Sequence, residues 1–152
     1  MIKLYNMIKV AISGYFNPLT IGHIDYIKSA KSLGDYLIVI VNNDKQVDIK
    51  GSVPFMKQEE RIKILESLRD IDEVFLSIDK DSSIASSLEI IKPDIFANGG
   101  DRCTNTQNNK EVDVCTAIGC KVLYGIGGKK VQSSSELIQG AAKWLITQWS
   151  TR

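Results

Sequence analysis

Three short stretches of the chain combine glycine, hydroxyl, histidine and basic residues in the way that phosphate-binding sites do. The first runs from Gly14 to His23 and reads Gly-Tyr-Phe-Asn-Pro-Leu-Thr-Ile-Gly-His. The second covers residues 95–102 and ends in Asn-Gly-Gly-Asp-Arg, and the third places Ser133–Ser135 at the start of a helical pattern. Because free N–H groups at a helix start attract anions, the first and third stretches predict contacts with a phosphorylated ligand. In the second stretch, Gly99 and Gly100 would let a planar base or ribose approach the backbone, and Asp101 would accept from a ribose hydroxyl or a base amine. The plain alternative for the second stretch is a simple turn.

In the first stretch a predicted strand passes through a turn into a predicted helix. Gly14 has no Cβ and would let a phosphate approach the backbone, while Gly22 would keep the helix start bare. His23 then falls on the first helical turn, facing the anion. The plain alternative is a turn made by glycine, asparagine and proline, with His23 as a surface or packed residue. The stretch matches neither the P-loop nor the dinucleotide-binding fingerprint.

Basic residues follow the second predicted strand. Lys45 and Lys50 fall in a predicted loop, where one or both would reach an α- or β-phosphate; the alternative for both is an ordinary solvated loop lysine. Arg61 lies near the start of the next predicted helix and is a further candidate, with a surface i,i+4 ion pair as its alternative.

The composition favours one ordinary globular domain. The chain has 152 residues, 43% hydrophobic and 24% charged, with a net charge of +1. We therefore predict an N-terminal extension over residues 1–8 and one domain over residues 9–152, with no general attraction to nucleic acid or to an anionic membrane. Three cysteines and one histidine give little support to a zinc site. Free thiols and the lack of a signal-peptide pattern favour the cytoplasm.

Short β-branched runs alternate with helical patterns along the whole chain. The predicted strands are Lys9–Ser13, Asp35–Val41, Glu73–Leu76, Ile95–Asn98 and Lys121–Tyr124. The predicted helices are Gly22–Leu33, Lys57–Arg69, Ser82–Ile91, Lys110–Ile118 and Ser134–Trp149. This alternation predicts an α/β fold with a doubly wound, mostly parallel sheet of five strands in the order 3-2-1-4-5 and helices on both faces. Ligands of such sheets lie beyond the carboxyl ends of the strands.

The segment from Gly14 to His23 resembles the (H/T)-x-G-H signature of the cytidylyltransferase-like nucleotidyltransferases. The Leu33–Asp44 segment and Gly99-Gly100-Asp101 are similar to the heptose-1-phosphate adenylyltransferase branch, and the glycerol-3-phosphate cytidylyltransferases are also close. The resemblance covers about residues 9–145. Thr20 stands where many members have a first histidine, and Asn17 stands where aspartate is more usual.

The resemblance implies a role for each matching position. It implies that His23, Thr20 and Lys50 act on the α-phosphate region, that Gly99–Asp101 recognise the base and ribose, and that the serines hold the β- and γ-phosphates. The predicted nucleotide-binding residues are Gly14, Tyr15, Phe16, Asn17, Gly22, Lys45, Arg61, Gly99, Gly100, Asp101, Arg102, Ser133, Ser134 and Ser135.

The same resemblance implies the reaction. A nucleoside monophosphate would pass from an NTP to a small phosphorylated metabolite such as a sugar or polyol phosphate, with release of pyrophosphate. The Gly-Gly-Asp element favours ATP slightly over CTP. Mg²⁺ would arrive with the NTP and need no metal site of the protein's own, and the enzyme would be a homodimer. Two other readings stay open: a nucleotide sensor without catalysis, and a flavodoxin-like electron carrier.

Overall fold

Five parallel strands form the sheet in the computed structural model, which describes residues 7–100, 102, 108–129 and 132–151. The strands are β1 (Lys9–Gly14), β2 (Tyr36–Val41), β3 (Glu73–Leu76), β4 (Ile95–Gly99) and β5 (Lys121–Ile126). They are ordered β3-β2-β1-β4-β5, and each neighbouring pair is parallel. The predicted fold class and strand order are therefore confirmed. The predicted extension lies mostly in residues 1–6, outside the described residues.

Six helices occur among the described residues. They are α1 (Ile21–Lys31), α2 (Asp44–Ile49), α3 (Gln58–Glu66), α4 (Ala85–Ile91), α5 (Asn109–Ile118) and α6 (Ser134–Ser150). The prediction of a loop over residues 41–51 is wrong, because α2 occupies most of it. Asn43 caps this helix: its side chain accepts from the Gln46 N–H at 2.9 Å, and the Gln46 side chain accepts from the Asn43 N–H at 3.0 Å.

Successive side chains of each strand point to opposite faces of the sheet, and the apolar ones form a core on each face. On one face Val10 and Ile12 of β1 join Ile27 of α1 and Leu65 of α3. On the other face Ala11 packs in a cluster with Phe96, Leu88 of α4 and Cys115 of α5. The helices thus cover both faces, as predicted.

The strand order reverses at β1, which pairs with β2 on one side and with β4 on the other. The connections that follow β1 and β4 leave the sheet on opposite faces, so a crevice opens beyond their carboxyl ends. The Asn42 N–H donates to the Gly14 carbonyl at 2.9 Å and holds the ends of β1 and β2 together. This crevice is where the predicted phosphate-binding stretches meet.

Helix α6 differs from the other helices because none of its residues is buried. Its 17 residues span about 25 Å at the rise of an α-helix. Within the described ranges, no helix is long and apolar enough to cross a membrane.

Candidate active site

A cavity of about 660 Å³ opens at the carboxyl edge of the sheet. Its walls come from the loop after β1, the segment after α2, the ends of β4 and β5, and the start of α6. The predicted site residues that line it are Gly14, Tyr15, Phe16, Asn17, Gly22, His23, Lys50, Gly99, Gly100, Arg102, Ser133, Ser134 and Ser135. Segments far apart in the sequence therefore meet around one space.

His23 is the third residue of α1, and its ring faces this cavity. Its Nδ1 lies 2.9 Å from the backbone nitrogen of Thr20, which can only donate a hydrogen bond. Nδ1 is therefore the acceptor, and the neutral ring carries its proton on Nε2. The N-cap geometry of α1 thus gives the ring both its orientation and its tautomer.

Phe16 supports His23 from the protein side. Its ring is 2% exposed and meets the His23 ring edge-on, with 4.9 Å between centroids. A Cβ on Gly14 would lie 3.0 Å from the Phe16 ring. Gly14 therefore makes room for this ring, a reason for glycine that sequence reasoning missed when it placed a phosphate there. The backbone of Phe16 itself is left-handed, with a φ of 49°.

Asn17 connects the loop after β1 to residues 53–56. Its side-chain amide donates to the Val53 carbonyl at 2.8 Å and accepts from the Met56 N–H at 2.9 Å. The side chain is 6% exposed, so both bonds are shielded from water. An aspartate, which is more usual in the resembled family, lacks the donor for the Val53 carbonyl.

Positive side chains outnumber negative ones at the cavity wall. Lys50 caps the carboxyl end of α2, and its Nζ lies 4.3 Å from the centroid of the Tyr15 ring. Arg102 and Lys129 also line the cavity, and Asp25 is the only carboxylate among the described lining residues. A chain of almost no net charge thus offers a local site for anions.

Burial raises the pKa of the Tyr15 phenol; the nearby guanidinium of Arg102 lowers it and the carboxylate of Glu111 raises it. The net effect is a pKa above the usual value for tyrosine, so Tyr15 keeps its proton at neutral pH and remains a donor.

The glycines after β4 and β5 allow two loops to touch. A Cβ on Gly100 would lie 1.9 Å from the Gly128 carbonyl oxygen, and a Cβ on Gly127 would lie 2.9 Å from the Tyr26 Cα. The Tyr26 hydroxyl donates to the Ala97 carbonyl and fastens α1 to β4. This wall therefore consists largely of bare backbone.

Arg102 is held by a buried acid. Its Nη1 lies 3.4 Å from Oε2 of Glu111, which is 2% exposed, and Oε1 of the same carboxylate accepts from the Ile84 N–H at 3.1 Å. Glu111 sits in the first turn of α5, where the sequence alone indicates only a favourable interaction with the helix dipole. The structure shows that it also orients a cation of the cavity.

The serines lie at the start of α6, with Ser133 at the N-cap position. The Ser134 hydroxyl donates to the Pro18 carbonyl at 2.6 Å, so the start of α6 is joined to the loop after β1. Ile138 and Gln139, one turn further along α6, also line the cavity. The predicted convergence of the serines with His23 is therefore present in the structure.

Three predicted residues are not at the cavity wall. Thr20 is buried behind His23, and its hydroxyl lies 3.2 Å from Nδ1 of that ring. Lys45 is an exposed residue of α2 rather than of a loop. A further prediction, Asp101, lies outside the described residues.

Arg61, the third of these residues, is 1% exposed. Its guanidinium donates to the carbonyls of Tyr15 and Asn42, both at 2.7 Å, and to Asp44 at 2.8 Å. The side chain therefore ties the loop after β1 to the segment after β2. This geometry corrects the expectation of a phosphate contact, because the guanidinium points into the protein.

Sequence reasoning missed several lining residues. Tyr26 is one helical turn from His23, a spacing that indicates a shared face, but an aromatic residue there is also typical of a core. Ser52 and Val53 follow Lys50 without any motif, and Gly127 and Gly128 carry only the general signal of a turn.

A protein-family model matches most of the chain. The model of the cytidylyltransferase-like family matches residues 11–139, which include every predicted motif. The chain belongs to the cytidylyltransferase-like family of nucleotidyltransferases. The predicted family and enzyme class are thereby confirmed, and residues 140–152 lie beyond the matched part.

Curated relatives of this cytidylyltransferase-like chain include archaeal FAD synthases. The FAD synthase of Pyrococcus abyssi is 37% identical over 116 residues, 76% of this chain and 76% of the relative. The FAD synthase of Ferroglobus placidus is 41% identical over 96 residues, 63% of this chain, and the match spans only 61% of that relative's length. FAD synthases are a branch that the motifs alone did not name.

Solved structures have the same fold. The lipopolysaccharide core biosynthesis protein from Thermoplasma volcanium has a TM-score of 0.67 and 28% identity, over 83% of this chain and 99% of that protein. A pantoate-beta-alanine ligase from Francisella tularensis, with a TM-score of 0.51 and 18% identity over 80% of this chain and 59% of the ligase, shows a shared fold only.

Proposed function

We propose that this chain transfers AMP from ATP to the phosphate of FMN, forming FAD and releasing pyrophosphate. The observation that carries the proposal is the meeting of His23, Lys50, Gly99–Gly100 and Ser133–Ser135 around one cavity. The FAD synthase names of relatives at 37% and 41% identity favour FMN over a sugar phosphate as the acceptor, and ATP over CTP as the donor.

In the proposed reaction an oxygen of the FMN phosphate attacks the α-phosphorus of ATP. The new P–O bond forms as the bond to the β-phosphate oxygen breaks, and pyrophosphate leaves with the electron pair. Nε2–H of His23 and the Lys50 ammonium donate to the α-phosphate region. The hydroxyls of Ser133 and Ser135 and the N–H groups at the start of α6, including that of Ser134, hold the remaining phosphates. The protein acts by alignment and by charge neutralisation, so it forms no covalent intermediate.

Mg²⁺ fits this site as a companion of the nucleotide. Among the described residues no group of three or more His, Cys, Asp or Glu side chains is arranged to hold a metal ion, and Asp25 is the one described carboxylate at the cavity. Phosphate oxygens and water would supply most ligands, as Mg²⁺ prefers. The ion would add positive charge beside the triphosphate.

The two substrates would occupy different halves of the cavity. The wall of Gly99, Gly100, Gly127 and Gly128 suits a base and ribose lying close to backbone. Residues 50–53, which also line the cavity, are left for the acceptor. His23 stands on α1 at the point where the strand order reverses, which suits a catalytic role between the halves.

Product analysis tests the proposal and separates it from the sensor reading. The protein is incubated with Mg²⁺ and either ATP or CTP, and with FMN, glycerol 3-phosphate or a sugar phosphate as acceptor. We expect FAD and pyrophosphate in equal amounts from the combination of ATP and FMN, and no product from the other combinations. Pyrophosphate release with another acceptor would reassign the substrate, and ATP binding without any product would favour a sensor.

We also propose that the chain is a cytoplasmic homodimer that pairs through α6. Between residues 137 and 150 the only charged residue is Lys143. The exposed apolar side chains of α6, with exposures of 43% to 79%, are Leu137, Trp144, Leu145, Ile146 and Trp149. Exposed apolar side chains of this size along one helix, here called the apolar patch, are typical of an interface. Twofold pairing of identical surfaces is the commonest arrangement of an oligomer. The buried free thiols of Cys115 and Cys120 suit a reducing compartment.

A further inference from the structure

We propose that residues Val53–Met56, here called the apolar loop, form the surface on which the isoalloxazine ring of the acceptor lies. The proposal rests on FMN being the acceptor. Val53 is 70% exposed and lines the cavity, and Phe55, which follows two residues later and lies outside the cavity lining, is 61% exposed. Pro54 between them is exposed as well. Three consecutive exposed apolar residues are unusual in a protein surface unless a function needs them.

The apolar loop is held in place rather than hanging free. The Phe55 N–H donates to the Val53 carbonyl at 2.8 Å and closes a tight turn about Pro54. The two bonds from the buried amide of Asn17 fix Val53 and Met56 at the ends of the loop. The surface is therefore preorganised, which reduces the entropy cost of binding a ring.

The position of the apolar loop relative to the phosphate-binding residues matches the shape of FMN. Lys50 and Val53 both line the cavity, and only two residues lie between them, so their Cα atoms are at most about 11 Å apart. In FMN the ribityl chain separates the phosphate from the ring in a similar way. A phosphate near Lys50 and His23 would thus leave the ring beside Val53 and Phe55.

The chemistry of the apolar loop favours a flat aromatic acceptor over a sugar. A ring that covers Val53 and Phe55 removes apolar surface from water on both partners, and stacking on Phe55 adds to this. A sugar or polyol phosphate has no comparable surface. The loop would then select among phosphorylated acceptors by what is attached to the phosphate.

The test compares Phe55→Ala and Val53→Ala with Ile90→Ala. Ile90 lies on α4, is 60% exposed and does not line the cavity, so it is a matched surface control. The KM values for FMN and ATP are measured separately, and binding of riboflavin, which has the ring but no phosphate, is followed by quenching of its fluorescence. Thermal unfolding checks that each variant is folded.

We expect Phe55→Ala to raise the KM for FMN by about 10-fold, in the range for losing one stacking partner, and to weaken riboflavin binding equally. The KM for ATP should change less than about 2-fold, a shift of under 0.5 kcal/mol. Ile90→Ala should match the wild type in all three values. If the wild type makes FAD, two results would overturn the proposal. One is an equal rise of the KM for FMN and the KM for ATP. The other is an unchanged KM for FMN in both Phe55→Ala and Val53→Ala.

If the wild type makes no FAD, the proposed function fails first, and riboflavin binding then decides about the apolar loop. Riboflavin that binds the wild type but not Phe55→Ala would support the flavin surface without the reaction. Failure of riboflavin to bind the wild type would overturn the surface as well.

Discussion

His23 shows how much of a catalytic role a single hydrogen bond can define. The Thr20 N–H occupies Nδ1 at 2.9 Å, and the edge-on contact with Phe16 limits the tilt of the ring. A histidine oriented in this way offers a donor on Nε2 without rearrangement during the reaction, which is the property that makes such groups effective in stabilising developing charge.

We predict that His23→Ala lowers kcat by at least about 100-fold, the usual loss when one preorganised donor is removed. The measurement is the rate of pyrophosphate release at saturating substrates, with circular dichroism to show that the fold persists. Near-normal turnover in the folded variant would remove His23 from the chemistry.

Asn17 has a different task, because both ends of its amide are used within the protein. We predict that Asn17→Ala lowers the free energy of unfolding by about 1–3 kcal/mol, since the Met56 N–H loses its acceptor and the Val53 carbonyl keeps only the bond from the Phe55 N–H. The variant should also raise the KM for FMN more than the KM for ATP, because the apolar loop is no longer fixed. Steady-state kinetics with each substrate varied in turn would test this, and an unchanged KM for FMN would contradict it.

At the scale of elements, Arg61 joins the segments that follow β1 and β2. We predict that Arg61→Met lowers the free energy of unfolding by about 3–5 kcal/mol, because it leaves buried oxygens without donors. Arg61→Lys should recover only part of the loss, since an ammonium cannot replace the guanidinium fork. Urea denaturation measures both. If Arg61→Met were stable but had a raised KM for ATP, the result would contradict this structural role and support the phosphate contact that the family resemblance implies.

Asp72 links α1, β2 and the start of β3. Burial raises the pKa of its carboxyl, but the N–H of Leu37 at 2.8 Å and the ammonium of Lys31 at 2.6 Å outweigh this and hold the pKa below the usual value. A lowered pKa in the folded state contributes stability above the unfolded value of about 3.9. That contribution is lost as the pH falls through the lower folded pKa.

We therefore predict that acid destabilises the wild type more than Asp72→Asn. The free energy of unfolding is measured in urea at pH 6 and at pH 3 for both proteins. The difference between the two pH values should be smaller in the variant, because its side chain does not titrate. An equal difference would show that Asp72 contributes nothing to the acid response.

The sequence was most informative about elements with strong periodicity and least informative about short ones. The predicted strand Asp35–Val41 contains an unbroken apolar run, and its prediction as a buried parallel strand is confirmed over Tyr36–Val41. Helix α2 has only six residues and depends on the reciprocal cap of Asn43 and Gln46, a pattern too short to stand out. The expected phosphate contact of Arg61 does not fit the structure, in which the guanidinium points into the protein. The sequence could not distinguish the two cases, because an arginine can bind either a phosphate or a set of backbone carbonyls.

Contacts between distant segments explain the rest of what the sequence did not reveal. The reason for glycine at position 100 lies in the carbonyl of Gly128, and the reason for Glu111 lies partly in Arg102. Each pair belongs to different elements, so no local pattern records it. The ordered motifs predicted which segments meet, whereas the contacts inside the cavity needed the fold.

At the scale of the whole molecule, α6 connects the candidate site to the proposed dimer. Its first turn lines the cavity, and its remaining turns present the apolar patch. We predict that Leu145→Lys combined with Trp149→Lys converts a dimer into a monomer, because it places charges within the patch. Sedimentation or light scattering of the wild type and the variant would show this, with Ile90→Lys as a surface control. A monomeric wild type would contradict the dimer.

The proposed transfer of AMP requires one cavity to bring ATP and FMN together. The most direct measurement is chromatography of the products after incubation with ATP, FMN and Mg²⁺, with pyrophosphate measured in parallel. We predict one FAD for each pyrophosphate, and a rate at least about 100-fold lower for His23→Ala. Binding of ATP without formation of FAD would exclude FAD synthesis at this cavity, and FAD formed equally well by His23→Ala would exclude His23 from the reaction.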